Sequence, residues 1–287
     1  MKPIFGIDLT NDKTNETMND AAFVDCHTSP ALSQALERLT EQAESTVDKA
    51  KLSRVLRIIQ ALSGFTAFVT IFGTVKALTG EDSVTLSEAY QNAPALFWVG
   101  GCCLVLWAIL KLLSLKKQKA VLESDEGAQT FQNLEGVSEA IFTELSAPKG
   151  TPDVDIFFFA YKSKENEVKV VSRGMFQYVN AVFRIYADNE ALYLVNLEAR
   201  YAFPHASLRA IHTVKKTISA YEWNKDADVK DDRYKPYKLS LGDANVVNSK
   251  WYHILEMEHE GERYGLYFPS YELPAFEALT GLKAETI

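Results

Sequence analysis

The chain has 287 residues, with 38 acidic against 30 basic side chains and a formal net charge of −8. That length admits one or two domains, and the acidic balance argues against nucleic acid, where a basic face supplies most of the affinity. The three cysteines, Cys26 and the adjacent Cys102 and Cys103, make no disulfide framework and suit a reducing compartment.

The first 28 residues are polar and acidic (Asp8, Asp12, Glu16, Asp20, Asp25), without the basic and then apolar regions of a leader, so no signal peptide is predicted. Short extended pieces are expected at 3–10 and 21–24. Ser29 and Pro30 then read as a helix start, a capping hydroxyl followed by a proline tolerated at the first helical position. Leu32, Leu36, Leu39, Ala43, Val47 and Ala50 recur three and four apart, which predicts an amphipathic juxtamembrane helix over 29–53. It is expected to run unbroken into the first apolar stretch.

There are two uncharged apolar stretches, 58–75 between Arg57 and Lys76 and 89–110 between Glu88 and Lys111. Each approaches the roughly 20 residues that cross the hydrocarbon layer, and transmembrane helices are assigned to 54–78 and 93–115, with a short external loop over 79–92. Lys49, Lys51, Arg54 and Arg57 precede the first, and Lys111, Lys116, Lys117 and Lys119 end or follow the second, whereas the loop holds Glu81, Asp82 and Glu88. By the positive-inside rule both termini face the cytoplasm, across a plasma (inner) membrane. Neither stretch contains Asp, Glu, Lys, Arg or His, which disfavours a pore or pump made by this chain alone. Ser63 and Ala67 on the first helix and Gly100 and Gly101 on the second are the helix-packing candidates, since small residues let backbones approach where lipid gives no hydrophobic drive. Packing within the hairpin is the simpler reading, homodimerisation the sharper one. A helical stalk or linker comes next over 116–149, with Val137, Ile141 and Leu145 on one stripe. The two helices flanking the membrane either pair as a stalk or rest on lipid headgroups.

A breaker cluster at 147–152 (Ala-Pro-Lys-Gly-Thr-Pro) marks the domain boundary, and the pattern beyond it turns extended. Strands are predicted at 155–162, 167–171, 176–186, 191–196, 200–203, 210–221, 237–241, 251–259 and 263–268, the last two joined tightly at Glu260 and Gly261. A closing helix is predicted over 271–282 with Leu273, Phe276, Leu279 and Leu282 on one side. The fold class is therefore α+β: a transmembrane hairpin with juxtamembrane helices, plus an antiparallel β domain over 150–287 capped by a helix.

The strand at 191–196, then Arg200 to Phe203, Pro204 and the run to Leu208 and Ile211, with the final hairpin and helix, resembles bacterial pleckstrin-homology-like (PH-like or GRAM-type) domains. Bacterial membrane proteins often carry such domains beside transmembrane helices. Relatives that bind phosphoinositides do so through a basic cluster between the first two strands. The corresponding Lys162, Lys164, Lys169 and Arg173 are interleaved with Glu165 and Glu167, so they are weak lipid-contact candidates. Acidic side chains also outnumber basic ones across 150–287, which does not suit a domain held to anionic lipid by charge.

Other clusters point to no chemistry. Asp226, Asp228, Asp231 and Asp232 fail the EF-hand register, which would put Lys230 at a ligand position; the mixed charges of 222–238 read as a solvated insertion. His205, His212, His253 and His259 lack the spacing of a zinc site, and Cys26 beside His27 makes no catalytic dyad by adjacency. No enzyme activity, cofactor or metal is expected. The expected function is that of a cytoplasm-facing tethering or scaffold protein with a membrane or cytoplasmic protein partner, a homodimer remaining open. The alternative is an accessory subunit of a transporter or other membrane complex. Tethering raises the effective concentration of a weak binding face, expected to use apolar grooves or sheet edges.

Overall fold

The computed structural model describes residues 1–9, 17–18, 20–79, 84–164, 167–170, 179–220, 234–241 and 247–286. The chain divides into two units, Gln34–Val137 and the combination of Met1–Ser33 with Ser138–Ile287.

The first unit is helical. Helix α1 (Pro30–Ala50) enters it and stops short of α2 (Arg54–Thr79), so the expected unbroken helix is in fact broken at 51–53. Two contacts at the break are local, Lys51 pairing with Asp48 at 2.6 Å and the Ser53 hydroxyl accepting from Leu56 N at the start of α2, and one is distant, Lys117 donating to the Lys51 carbonyl at 2.7 Å. Helix α3 (Leu86–Asn92) opens with a capping box in which Thr85 and Glu88 satisfy each other's backbone N–H. Pro94 then starts α4 (Pro94–Leu122). Ala89 and Tyr90, read from sequence as the beginning of the second apolar stretch, therefore belong to a separate short helix. The ion pair Lys49–Glu126 joins α1 to α5 (Asp125–Glu144) at 3.0 Å.

Helices α2 and α4, of 26 and 29 residues, are long and apolar enough to cross a membrane. At 1.5 Å per residue they run about 39 and 44 Å, against a hydrocarbon layer of about 30 Å. Phe65, Phe68 and Trp98 on them are 64–68% exposed.

The second unit is built on strands. Its N-terminal contribution is β1 (Lys2–Pro3), β2 (Gly6–Asp8), β3 (Thr17–Met18) and β4 (Val24–His27). After α5 come β5 (Asp153–Lys164), β6 (Glu167–Val170), β7 (Val179–Ala187), β8 (Ala191–Val195), β9 (Ala199–Pro204) and β10 (Leu208–Val214). They are followed by β11 (Ile218–Ala220), β12 (Ser240–Leu241), β13 (Val247–Ser249), β14 (Tyr252–His259), β15 (Glu262–Pro269), α6 (Leu273–Thr280) and β16 (Ala284–Thr286). One sheet runs β3-β2-β5-β7-β8-β9-β4 with β6 on β5, a second runs β1-β15-β14-β10-β16, and a small third is β11-β13-β12.

Alternation sets which side chains fill the space between the two larger sheets. Phe183 and Ile185 on β7, Leu192 and Leu194 on β8, and Leu255 and Met257 on β14 meet in one cluster, all at most 3% exposed. Each such side chain contributes about 1.5–3 kcal/mol by leaving water. The helix plugs one side: Phe276 stacks on Phe268 with ring centroids 4.0 Å apart, and Gly281, at φ +71°, ends α6 in the left-handed conformation that glycine tolerates.

Three expectations are corrected. The sheets are not wholly antiparallel: β1 on β15, β2 on β5 and β16 on β10 are parallel, because distant pieces of chain are laid onto sheet edges. The run at 210–221 is two strands, β10 and β11, in different sheets, interrupted by Lys215 and Lys216. The N-terminal segment 1–28, set apart from the sequence as a polar piece, supplies strands to both large sheets, and Ile4, Phe5 and Phe23 enter the shared core.

Candidate functional site

The α2–α4 contact is made where side chains are smallest. Ser63, Ala67 and Thr70 are the buried residues of α2, and Gly100 and Leu110 those of α4. A Cβ on Gly100 would run into the Thr70 side chain, and one on Gly64 would lie 2.7 Å from Trp107 Cδ1. Three of the four packing candidates, Ser63, Ala67 and Gly100, thus sit in the contact. Gly101 does not: it is exposed, and a Cβ there would meet nothing within 4 Å. One residue along a helix is a 100° turn, which takes Gly101 off the seam. Sequence reading missed Gly64 and Thr70, although Ser63, Ala67 and Thr70 recur at helical spacing. The buried hydroxyls are satisfied within their own helix, Ser63 donating to Gln60 O at 3.0 Å and Thr70 to Thr66 O at 2.9 Å.

Beside this contact runs a groove of about 640 Å³ whose lining includes Arg57, Gln60, Gly64, Phe68, Ile71 and Trp107. Arg57 is exposed at one end, and its guanidinium makes no hydrogen bond or ion pair among the described residues. The bond from Lys117 to Lys51 places the C-terminal basic residues of α4 at this same end of the hairpin. A second groove, of about 430 Å³, lies on the exposed side of α4 between Trp98 and Ile109 and includes Gly101 and Cys102.

In the strand unit the described basic candidates lie on β5 and β6. Lys162 is exposed on β5 and pairs in register with Lys169 on β6, while Lys164 is opposite Glu167. Arg173 lies outside the described residues, as do Asp226, Asp228, Asp231, Asp232 and most of the 222–238 loop.

His205, His212, His253 and His259 have separate surroundings. His205 Nε2 is 2.9 Å from Asp188 O, His212 Nε2 is 2.6 Å from Glu256, and His259 lies against Phe23. His253 stacks on Phe268 and meets the Thr213 hydroxyl through Nδ1 at 3.1 Å, leaving Nε2 buried without a partner. Burial pushes its pKa down to about 4, only partly offset by Glu277. Among the described residues no three His, Cys, Asp or Glu side chains lie close enough together to hold a metal ion.

Buried acids and phenols are tied down in pairs. Burial opposes charge on Glu256, but hydrogen bonds from His212 and Arg263 outweigh it and hold the carboxyl below its usual range. Burial and then the Asp155 carboxylate push the Tyr271 phenol far up, and its hydroxyl donates to Asp155 at 2.6 Å. Such pairing rigidifies a sheet.

The chain leaves and re-enters this unit at one clamp. Ser29, expected to cap α1 with its own hydroxyl, donates through N and Oγ to the two Glu144 oxygens at 2.7 and 2.9 Å. Arg184 on β7 pairs with Glu139 and lies 3.7 Å above the Phe142 ring. Arg200 on β9 bonds Asp25 at 2.5 Å and donates to the Leu145 carbonyl at 3.2 Å, where α5 has just ended. These partners are 42 to 175 residues apart, which is why no local pattern announces them.

The chain matches no family model, no curated protein and no solved structure.

Proposed function

We propose that the chain is a two-span membrane anchor that holds its strand unit at the cytoplasmic face of the bilayer, where that unit acts as a non-catalytic interaction module of PH-like type. The observation that carries this reading is where apolar side chains are exposed. Among the described residues, every exposed large hydrophobic lies between Val47 and Leu122 except Val182 on β7. The helical hairpin suits an apolar solvent, and the strand unit suits water. Basic residues at one end of the hairpin support the cytoplasmic assignment of both termini, and a run of strands closed by a helix supports the PH-like reading.

With one exposed large apolar side chain among its described residues, the strand unit offers little for an apolar groove, so binding by strand edges is the better mode. β4 and β16 end their sheets and present unpaired backbone to an added strand. Alkaline carbonate extraction of membranes, with protease added from outside or inside, tests the anchor and its sidedness. The reading requires retention in the pellet and cleavage of residues beyond 150 only from inside; release into the supernatant, or cleavage from outside, overturns it.

A second reading, an accessory subunit of a membrane complex, is favoured by the outward groove at Gly101 and Cys102, which contains no charge. Its mark is a membrane partner that copurifies in mild detergent and is lost in Gly101→Leu.

A further inference from the structure

We propose that the groove from Arg57 to Ile71 binds one anionic phospholipid, its phosphate against the Arg57 guanidinium and an acyl chain along Gly64, Phe68 and Trp107. The inference deepens the membrane-anchor reading and rests on it.

The groove has a head and a tail. Arg57 and Gln60 supply donors at one end, and the other lining residues, Ala61, Gly64, Phe65, Ala67, Phe68, Ile71, Leu104 and Trp107, are all apolar side chains or glycine. From residue 57 to residue 71 a helix rises about 21 Å, which spans most of one leaflet in a bilayer core of about 30 Å. Gly64 lets Trp107 lie against the α2 backbone, so the indole forms a flat wall rather than filling the groove.

Charge selects the head group. Asp48 is engaged first by Lys51, Arg57 adding only the weakest attraction, and no acidic side chain lines the groove. Arg57 is therefore exposed at the membrane boundary with donors to spare, and its planar fork matches phosphate oxygens. Arg54 lies one turn before it on α2, and Lys117 reaches Lys51 at the same end. A zwitterionic lipid would bring its ammonium into this basic neighbourhood; an anionic lipid does not.

A second copy of the chain is the competing occupant, and the geometry disfavours it. A two-fold contact through this groove would set two Arg57 side chains at one depth near the axis, where like charges repel and a helix provides no phosphate to answer them.

Trp107 serves as the reporter. The full chain keeping only Trp107, with Trp98, Trp223 and Trp251 changed to Phe, is placed in phosphatidylcholine vesicles containing a trace of acyl-brominated phosphatidylglycerol or acyl-brominated phosphatidylcholine. Bromine quenches an indole it touches. A matching variant keeps only Trp98, on the other groove. The expected result is an apparent preference of about fivefold for the phosphatidylglycerol at Trp107, the worth of one basic side chain at an anionic surface, lost in Arg57→Gln, retained in Arg57→Lys and absent at Trp98. Equal quenching of Trp107 by both lipids overturns the proposal, and so does a Trp107 shielded from both while Trp98 is quenched, which marks a protein occupant. If neither indole is quenched, the membrane reading falls and this one with it. Native mass spectrometry of the unaltered chain from mixed vesicles repeats the test without tryptophan changes: phosphatidylglycerol retained by the wild type and lost in Arg57→Gln supports the site, and equal retention in both refutes it.

Discussion

The two units sort the same kinds of side chain in opposite directions. In the strand unit Phe203, Phe268 and Phe276 are fully buried, whereas on α2 Phe65, Phe68 and Phe72 point outward and Ser63, Ala67 and Thr70 are the residues hidden. On the proposed membrane-anchor reading the difference is one of solvent. Water drives bulky apolar groups together at about 25 cal/mol per Å², so the strand unit closes around them. Lipid gives no such drive, and helices then associate by close backbone approach, with large side chains left to the acyl chains. Small residues make the better seam there.

Substitutions of equal chemistry break that comparison most sharply. Phe203→Ala or Phe268→Ala should destabilise the strand unit by about 3–5 kcal/mol, read as a fall in urea midpoint by pulse proteolysis of the full chain in detergent micelles. Phe68→Ala on the hairpin should leave the same midpoint within about 0.5 kcal/mol. Equal losses would mean that water, not lipid, is the solvent of α2.

Acid gives the next largest effect, confined to the strand unit. His253 is neutral in the fold, with its pKa depressed to about 4 by burial. A depressed base contributes stability that is full above its unfolded pKa, near 6.5, and is lost as pH falls toward 4, because the unfolded chain takes up the proton first. The loss should approach 3 kcal/mol, on the order of 1.36 kcal/mol per unit. His253→Gln should flatten the slope of urea midpoint against pH between 6.5 and 4; an unchanged slope would place the acid sensitivity elsewhere.

Neighbouring glycines sharpen the comparison within the hairpin. Gly100→Leu should cost about 1–3 kcal/mol of helix association by overpacking against Thr70, and Gly101→Leu should cost nothing to the hairpin itself. Unfolding of the hairpin in micelles, followed by Trp107 fluorescence, separates them. Smallest is the clamp: Arg184→Leu should lower the strand-unit midpoint by about 1 kcal/mol, since Glu139 is half exposed and solvent screens the pair. Trypsin cleavage near Lys149 should quicken in this variant if Arg184 anchors the end of α5.

Where a signal is local, the sequence carries it. The hairpin β14–β15 turns at Glu260 and Gly261 as their φ values of 51° and 78° require, and β9 follows from alternation. The break at 51–53 was hidden because no proline or glycine marks it, and it takes Lys117, 66 residues away, to engage the Lys51 carbonyl. Half of the seam was visible in Ser63 and Ala67, but choosing between Gly100 and Gly101 needs the rotation of α4 about its axis. Arg57 read only as a flanking charge until the groove appeared beside it.

From sequence alone came the two apolar helices, the sidedness of their charges and the strand-to-helix order of the C-terminal part, since length, charge and periodicity are properties of neighbours in the chain. Folding in three dimensions decided that Ile4 and Phe23 belong to the distant core, that β1, β2 and β16 join parallel to their partners, that Glu144 rather than Ser29's own hydroxyl serves the start of α1, and which face of α4 meets α2. Each of those is a contact between residues far apart in the chain, selected by which surfaces remain unpaired once the local elements have formed, and no window of sequence contains both partners.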